Sequence, residues 1–245
     1  MTKKIIYTFL FLSMNVFSQK QVSGGEINYE ITMKVDEDKL KAVSKKVDGS
    51  KYAKDMAIST IKNQGKANFK LRFNKNASVF KEDKKLKINE RKINLIKIMI
   101  GKGVFYTDKN AKKIVHQKEA FGELFLIDVP KVKWNLTQET KKIGNYICYK
   151  ANTEKEGENK RGTFVKKITA WYTPELPVNY GPKDYFGLPG LIIELREGPL
   201  LYRASEINIS LKKNIQIQKP TKGKKVTLEQ YNDIAKEMIH NYHKR

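Results

Sequence analysis

The chain has 245 residues, 40% of them hydrophobic and 31% charged, and its 49 Lys and Arg against 26 Asp and Glu give a formal net charge of +23. This length suffices for one domain with a sizeable core, and the apolar content excludes a wholly disordered chain. A single cysteine excludes an internal disulfide framework, so the fold must depend on its core.

Residues 1–18 have the layout of a secretory signal peptide. Lys3 and Lys4 are followed by an apolar stretch over 5–17, and the small residue Ser18 suits the last position before cleavage. The alternative is a transmembrane anchor, but this stretch is shorter than the roughly 20 residues that span a bilayer. We therefore expect an exported, soluble protein, in the periplasm or outside the cell, with no transmembrane segment after cleavage. Because no cysteine lies near the cleavage position, we do not expect a lipoprotein.

The positive charge raises the question of a nucleic-acid partner. Only six of the basic residues are Arg, the side chain that makes bidentate contacts with phosphate and guanine, and the Lys residues are spread along the chain. We therefore predict no nucleic-acid binding. The alternatives are a compositional bias without a binding role, or weak attraction to anionic lipid or polysaccharide.

The first half of the chain alternates between strand and helix signals. Apolar residues at every second position predict a half-buried strand over 26–35. Residues 36–62 are rich in Lys and Ala and predict a helix after Ser50. Residues 84–100 fit either a buried strand or a short helix. Further short strands are predicted at 67–73, 78–81, 102–107, 113–117 and 123–129.

Turns and short strands continue through the second half. Residues 138–142 indicate a polar turn, 154–162 a charged loop and 173–190 a long turn-rich segment. Short strands with turns at a spacing of about 8–12 residues predict a mainly β fold with minor α, as a curved antiparallel sheet or half-open barrel with a C-terminal helix. The strands of this half are predicted at 145–153, 163–172, 191–195 and 200–211.

The end of the chain is predicted to be helical. Thr227 and Gln230 form a capping box, in which each residue satisfies an unpaired backbone N–H of the other. The apolar face of this helix is expected to dock on the sheet, and partner binding is the alternative. The chain then divides into a signal peptide at 1–18, a β-rich domain at 19–220, and a linker with an amphipathic helix at 221–245. The apolar face consists of Leu228, Tyr231, Ile234, Ala235, Met238 and Tyr242.

Three sequence stretches occur together in the second half. Residues 185–196 read YFGLPGLIIELR, residues 134–151 read WNLTQETKKIGNYICYKA, and residues 170–182 read AWYTPELPVNYGP. Together they resemble the GLPGLI family, a set of exported proteins of Bacteroidetes named after the hexapeptide that lies here at 187–192. The resemblance covers about residues 130–210. Because the family has no established activity, the resemblance implies an envelope location and a fold, and no chemistry.

The hexapeptide has a physical interpretation of its own. Pro189 and Gly190 suit the central positions of a type II turn, since Pro fixes φ and Gly accepts a positive φ. Gly187 adds backbone freedom, and Leu191 and Ile192 then enter the sheet. This element is either a corner that fixes strand register or a binding surface for a ligand or partner. The residues proposed for binding are Trp171, Tyr172, Tyr180, Tyr185, Phe186 and Leu188.

Few residues indicate catalysis or metal binding. Cys148 is a candidate reactive thiol, but a thiolate needs a nearby base, and nothing in the sequence places His116 beside it. A buried cysteine in a strand is the alternative. His240 and His243 have the spacing of two ligands on one helical face, but no third ligand is evident. We therefore predict no catalytic residues, no metal and no cofactor.

Three functional hypotheses follow. The first is a non-catalytic binding or carrier module for an amphipathic envelope ligand such as a lipid, and it predicts a sizeable apolar cavity. The second is an interaction protein that docks on an outer-membrane partner. The third is an enzyme that uses Cys148.

Overall fold

The computed structural model describes residues 22–34, 37–47, 49–62, 65–83, 94–159, 162–210 and 215–242. The signal peptide predicted at 1–18 lies outside these residues, and so does His243. Within them the chain is mainly β, as predicted, with twelve strands in one sheet. No helix in the described ranges is long and apolar enough to cross a membrane.

The elements follow the chain in an order that the alternating patterns largely anticipated. The helix predicted after Ser50 is confirmed, and it is paired with a second helix just before it. The ambiguous stretch ends in a short helix that buries Ile96 and Ile100 against the sheet. The elements are β1 Gly24–Met33, α1 Glu37–Lys46, α2 Lys51–Lys62, β2 Ala67–Asn74, β3 Ala77–Glu82, α3 Leu95–Ile100, β4 Val104–Asp108, β5 Lys113–Ala120, β6 Glu123–Val129, β7 Asn135–Ile143, β8 Tyr146–Asn159, β9 Gly162–Thr173, β10 Leu191–Glu197, β11 Leu200–Ser210, β12 Lys224–Thr227 and α4 Leu228–Tyr242.

Three local predictions are wrong. The polar turn expected at 138–142 lies inside β7, and the chain turns after Ile143 instead. The charged stretch expected to be a loop continues the hairpin, because residues 154–159 of β8 pair with β9. The expected linker contains β12, which pairs with β6 and brings α4 to the sheet.

The sheet consists of two meanders that meet at its centre. Strands β1 to β6 are neighbours in sequence order on one side, and β7 to β11 run back from the opposite edge until β11 pairs with β1. The full order is β12-β6-β5-β4-β3-β2-β1-β11-β10-β9-β8-β7, and no pairing joins its two ends. Each neighbouring pair is antiparallel except β12 with β6, which is parallel.

The short connection between β6 and β7 forces this sheet to curl. These strands are ten positions apart in the sheet order, which in a flat sheet would separate them by about 48 Å. Only residues 130–134 connect them, and such a segment reaches about 20 Å when fully extended. The two ends of the sheet must therefore approach each other, which gives the curved, unclosed sheet that the sequence predicts.

The inner face of the curl carries the core. In β1 the predicted alternation is confirmed, since Ile27, Tyr29 and Ile31 are fully buried. The intervening outer positions are polar or charged, and Glu26 pairs with Arg72 of β2 at 2.7 Å. Because one continuous apolar cluster takes side chains from strands on both sides of β1, the curl encloses a single main core.

The turn-rich segment between β9 and β10, residues 174–190, fills the interior of the curl, and we call it the plug segment. Tyr185 is 1% exposed and Phe186 4% exposed. The indole Nε1 of Trp134 donates to the carbonyl oxygen of Phe186 at 3.1 Å, and the Tyr29 hydroxyl donates to that of Ile192 at 2.5 Å. Within the described residues, side chains occupy the interior where an apolar carrier would hold its ligand.

The conformational roles predicted for the glycines of the hexapeptide are partly wrong. Gly187 has a φ of 96°, which favours glycine, as expected. Gly190 does not have a positive φ, so it is not the second central residue of a type II turn. It is needed because a Cβ there would lie 2.1 Å from the backbone oxygen of Thr173. Gly190 therefore permits the close approach of the plug segment to the end of β9.

The C-terminal helix docks through part of its predicted face. The capping box is confirmed, with the Thr227 N–H bonded to Gln230 Oε1 at 2.9 Å and the Gln230 N–H bonded to Thr227 Oγ1 at 3.1 Å. Tyr231 packs edge-on against Phe125 of β6. Met238, by contrast, is 43% exposed, so the docked face covers only the first turns of α4.

The close approach at Gly190 leads to a stability prediction. Gly190→Ala should lower the free energy of unfolding by about 3 kcal/mol or more, because backbone must move to admit the methyl group. Gly144→Ala is the control. Gly144 has a φ of 58°, and no atom lies within 4 Å of the position that a Cβ would take. This change should lower the free energy of unfolding by about 1 kcal/mol. Urea denaturation measures both, and equal losses would contradict the packing described here.

Candidate functional site

A groove lies where the two ends of the curled sheet approach each other, and we call it the seam groove. It has a volume of about 950 Å³, within the range of ligand sites in proteins. One wall is the connection from Val129 to Asn135, and the other is formed by Asn152–Glu156 of β8 with the adjacent residues of β9. Asp184 of the plug segment and Leu228 of α4 complete the lining.

The seam groove runs along an open strand edge. β7 begins opposite Asn152 of β8, so residues 153–159 of β8 have no β7 partner. On their other side the same residues pair with β9 throughout. Five consecutive residues of β8 line the groove, whereas a groove on one face would meet mainly alternate side chains. Beyond the last residue that β7 pairs with, the backbone groups of Glu154–Glu156 that point away from β9 therefore face the groove.

The lining of the seam groove is amphipathic. Val132 and Ile168 are buried apolar residues of the wall. The exposed lysines Lys131, Lys133 and Lys167 also line it, and no described carboxylate forms an ion pair with any of them. The Nζ of Lys131 lies 4.8 Å from the ring centre of Phe186, a cation–π contact. Glu154 and Glu156 also line the groove, and Glu154 lies opposite Lys167 in the β8–β9 register. The groove thus offers apolar contact beside three lysines and two glutamates.

Beneath the seam groove lies a buried cluster of ion pairs. Lys155 of β8 pairs with Asp184, whose carboxylate is 5% exposed. Glu197 of β10 is equally buried, and it accepts from Lys183 at 2.8 Å and from Lys166 at 3.2 Å. The cluster links the plug segment to three strands.

These ion pairs offset the repulsion between two lysines of the β8–β9 hairpin. Lys155 and Lys166 lie directly opposite each other in the register, and like charges in that position repel. Asp184 neutralises the first and Glu197 the second. The inner face of the hairpin can therefore carry two lysines only while the plug segment and β10 are in place.

The cluster keeps both carboxyl groups ionised. Burial by itself would raise the pKa of Glu197, but Lys183 and Lys166 outweigh it and lower this pKa to about 2. The pKa of Asp184 is also lowered, because Lys155 and Lys183 outweigh the effect of its burial. Burial would lower the pKa of Lys183, but Glu197 and Asp184 raise it.

One atom of the cluster lacks a partner. The Oδ1 of Asp184 is buried and accepts no hydrogen bond from any described group, while its Oδ2 accepts from Lys155. A buried, ionised acceptor without a donor costs free energy. Asp184 also lines the seam groove.

The residues predicted for binding are mostly interior. Tyr172, Tyr180, Tyr185, Phe186 and Leu188 are buried, so they do not form the expected aromatic surface. Trp171 is half-buried on the outer face, where the Nζ of Lys141 lies 4.3 Å from its ring centre. Of the hexapeptide, Leu191 and Ile192 are buried in the sheet, and the exposed residues are Gly187 and Pro189.

The candidate thiol is unsuited to catalysis. Cys148 is fully buried, and its Sγ lies 3.8 Å from the carbonyl oxygen of Tyr146. Burial raises the pKa of the Cys148 thiol to about 11, so very little thiolate exists at neutral pH. His116 is engaged elsewhere: its Nε2–H donates to the carbonyl oxygen of Lys102 at 3.0 Å and its ring stacks on Phe105. Burial lowers the pKa of His116 to about 4.

No described group of three or more His, Cys, Asp or Glu side chains is arranged to hold a metal ion. The groups that the sequence did not single out are Lys131, Lys155, Asp184 and Glu197. Lys155 and Glu197 sit in charged stretches that are typical of solvated surface. A signal was available in Lys183 and Asp184, two adjacent charges of opposite sign inside a turn-rich, mainly apolar segment.

Comparisons with known proteins agree with the fold and leave the activity open. Residues 134–166 and 152–194 match a family described as "Protein of unknown function (Porph_ging)". This match contains the hexapeptide and is consistent with the GLPGLI resemblance. A comparison with curated protein sequences finds no match.

The chain is also similar to two structures of PNGF-II, solved in the C2 and P21 space groups. Identity is 15% in both, with TM-scores of 0.50 and 0.49. The alignment covers 86% of this chain but only 32% and 33% of the PNGF-II chains, so this chain spans about a third of their length. At this identity the first likeness shows the fold alone.

The lowered pKa of Glu197 leads to a prediction for acid stability. Because the folded pKa of about 2 lies below the ordinary value of 4.5, the stabilisation is complete above about pH 4.5 and is lost as the pH falls toward 2. Over that window the wild type should lose about 3 kcal/mol of unfolding free energy that Glu197→Gln does not lose.

Urea titrations at several pH values between 2 and 6 measure this difference. Glu123→Gln, at an exposed position, is the control and should follow the wild type. If Glu197→Gln shows the same pH dependence as the wild type, Glu197 is not held ionised by its lysine partners.

Proposed function

We propose that this protein is an exported, non-catalytic binding module, and that an amphipathic ligand of the cell envelope with an anionic part occupies the seam groove. The observation that carries the proposal is the combination in one groove of apolar walls and three lysines that form no ion pair with a described carboxylate. An anionic group suits the lysines, and an apolar part suits Val132 and Ile168.

The carrier hypothesis takes a different form from the one the sequence suggested. An enclosed apolar cavity inside the curl would conflict with the plug segment, whose aromatic side chains occupy that space. The seam groove is open to solvent and only partly apolar. A ligand there would leave its exposed side accessible, which suits a docking or presenting role better than complete enclosure.

The burial of the candidate residues gives less support to an outer-membrane partner or to an enzyme based on Cys148. An outer-membrane partner that docks on Tyr185 and Phe186 would have to reach side chains that are buried. An enzyme based on Cys148 would need a thiolate that its surroundings disfavour.

Anionic and cationic amphiphiles with the same alkyl chain test the charge preference. Dodecyl phosphate, below its micelle concentration, should bind the wild type, and dodecyltrimethylammonium should not. Lys131→Glu combined with Lys133→Glu should weaken dodecyl phosphate binding about tenfold or more, since it replaces two attractions with two repulsions. Isothermal titration calorimetry measures the affinities.

The matched control changes the same net charge elsewhere. Lys102→Glu combined with Lys142→Glu alters two exposed lysines, one just before β4 and one near the end of β7, which the strand pairings place at the opposite ends of these strands from the groove, and should leave the affinity within about twofold. Equal weakening by both double variants would show that the overall charge, and not the seam groove, attracts the amphiphile. If the wild type binds no anionic amphipathic molecule, neither dodecyl phosphate nor an acidic amphipathic peptide, the proposal is also contradicted.

A further inference from the structure

We infer that the occupant of the seam groove is an extended polypeptide segment, which adds to the open edge of β8 as a further strand. This inference rests on the proposed function and deepens it by naming the chemical class of the ligand. Its basis is the mismatch in length between β7 and β8, which leaves residues 153–159 of β8 without a neighbour on the groove side.

The first step concerns the backbone of β8. Alternate residues of an edge strand point both their N–H and their C=O away from the sheet, and these groups form a template for another strand. Along residues 154–159 no described group bonds to that edge. Thr153 is capped differently, since its Oγ1 donates to the carbonyl oxygen of Lys133 at 2.7 Å. The free edge therefore begins immediately after this cap.

The second step concerns the match between the edge and its occupant. The edge presents donors and acceptors in alternation at the repeat of a strand. A polypeptide backbone offers the same alternation, whereas an alkyl chain offers neither donors nor acceptors.

The third step concerns the length of the open β8 edge and the opposite wall of the groove. The open edge of β8, residues 154–159, extends over about 17 Å, so a segment of five to seven residues can pair along it. The first three of these residues, Glu154–Glu156, line the groove. The opposite wall includes Leu228, which follows β12 directly. An added strand would thus lie between β8 and the far end of the sheet, where the curl is open.

The fourth step concerns the side chains of the peptide. In a strand, successive side chains point to opposite faces, so one set would meet the apolar Val132 and Ile168 and the other set would be available to Lys131 and Lys133. Glu154 and Glu156 also line the groove, but Lys131, Lys133 and Lys167 outnumber them, so an alternation of apolar and acidic residues fits the lining best. The net charge of the whole chain, +23, also favours an acidic partner.

Blocked seven-residue peptides test this inference. The parent peptide has Val at positions 1, 3, 5 and 7 and Glu at positions 2, 4 and 6, and two further peptides carry Ser or Lys in place of Glu. The Glu peptide should bind most tightly and the Lys peptide at least about tenfold more weakly. Fluorescence anisotropy with the full chain measures the affinities.

Backbone methylation separates strand addition from general adsorption. One Glu peptide is N-methylated at positions 3 and 5, and another at positions 2, 4 and 6. Because only one of these sets can face β8, one methylated peptide should lose about tenfold or more in affinity, and the other should stay within about threefold of the parent. A ligand held only by charge and apolar contact would not distinguish them.

The outcomes separate this inference from the proposed function. If dodecyl phosphate binds in the groove but the Glu peptide does not, the inference is wrong and the proposed function stands. If both methylated peptides bind as tightly as the parent, the peptide is not held as a strand and the inference is again wrong. If neither amphiphile nor peptide binds, both proposals fail.

Discussion

The five-residue connection between β6 and β7 is the constraint on which the rest of the structure depends. It joins strands that stand ten positions apart in one sheet, and it can do so only if the sheet curls until its ends approach. The curl creates an inside that the plug segment fills and a seam that no strand pairing closes. The main core and the seam groove are thus two consequences of the same connection.

Inside the curl, the plug segment brings a charge cluster as well as apolar side chains. Burying ionised groups is costly, and breaking such a pair by removing one partner typically costs about 3–5 kcal/mol. Here the cost is offset because each carboxylate faces at least one lysine, and because the two lysines of the β8–β9 hairpin would otherwise repel each other. The cluster therefore couples the extension of that hairpin, and with it the open edge of β8, to the correct placement of the plug segment.

The fold class could be predicted from the sequence because apolar residues alternate where one face of a strand is buried. Ile27, Tyr29 and Ile31 of β1 are apolar at alternate positions and are fully buried. The burial of Tyr185 and Phe186 could not be predicted from the sequence. Turns normally lie on the surface, and this one is interior only because the short β6–β7 connection curls the sheet around it. The charge cluster could not be predicted from the sequence either. Lys155, Asp184 and Glu197 belong to separate elements, and only the long-range strand pairing brings them together. β12 was missed because a four-residue strand among lysines has no periodic signal of its own.

Pulsed electron spin resonance across the seam tests the central claim most directly. Nitroxide labels would be placed at Glu156 on the open edge of β8 and at Glu229, just after β12, with the buried Cys148 replaced by Ser. If the sheet curls so that both positions border one groove, the separation should be about 20 Å, compared with about 48 Å for strands ten positions apart in a flat sheet. A distribution centred near the larger distance would contradict the curl, and with it the seam groove and the proposals that depend on it.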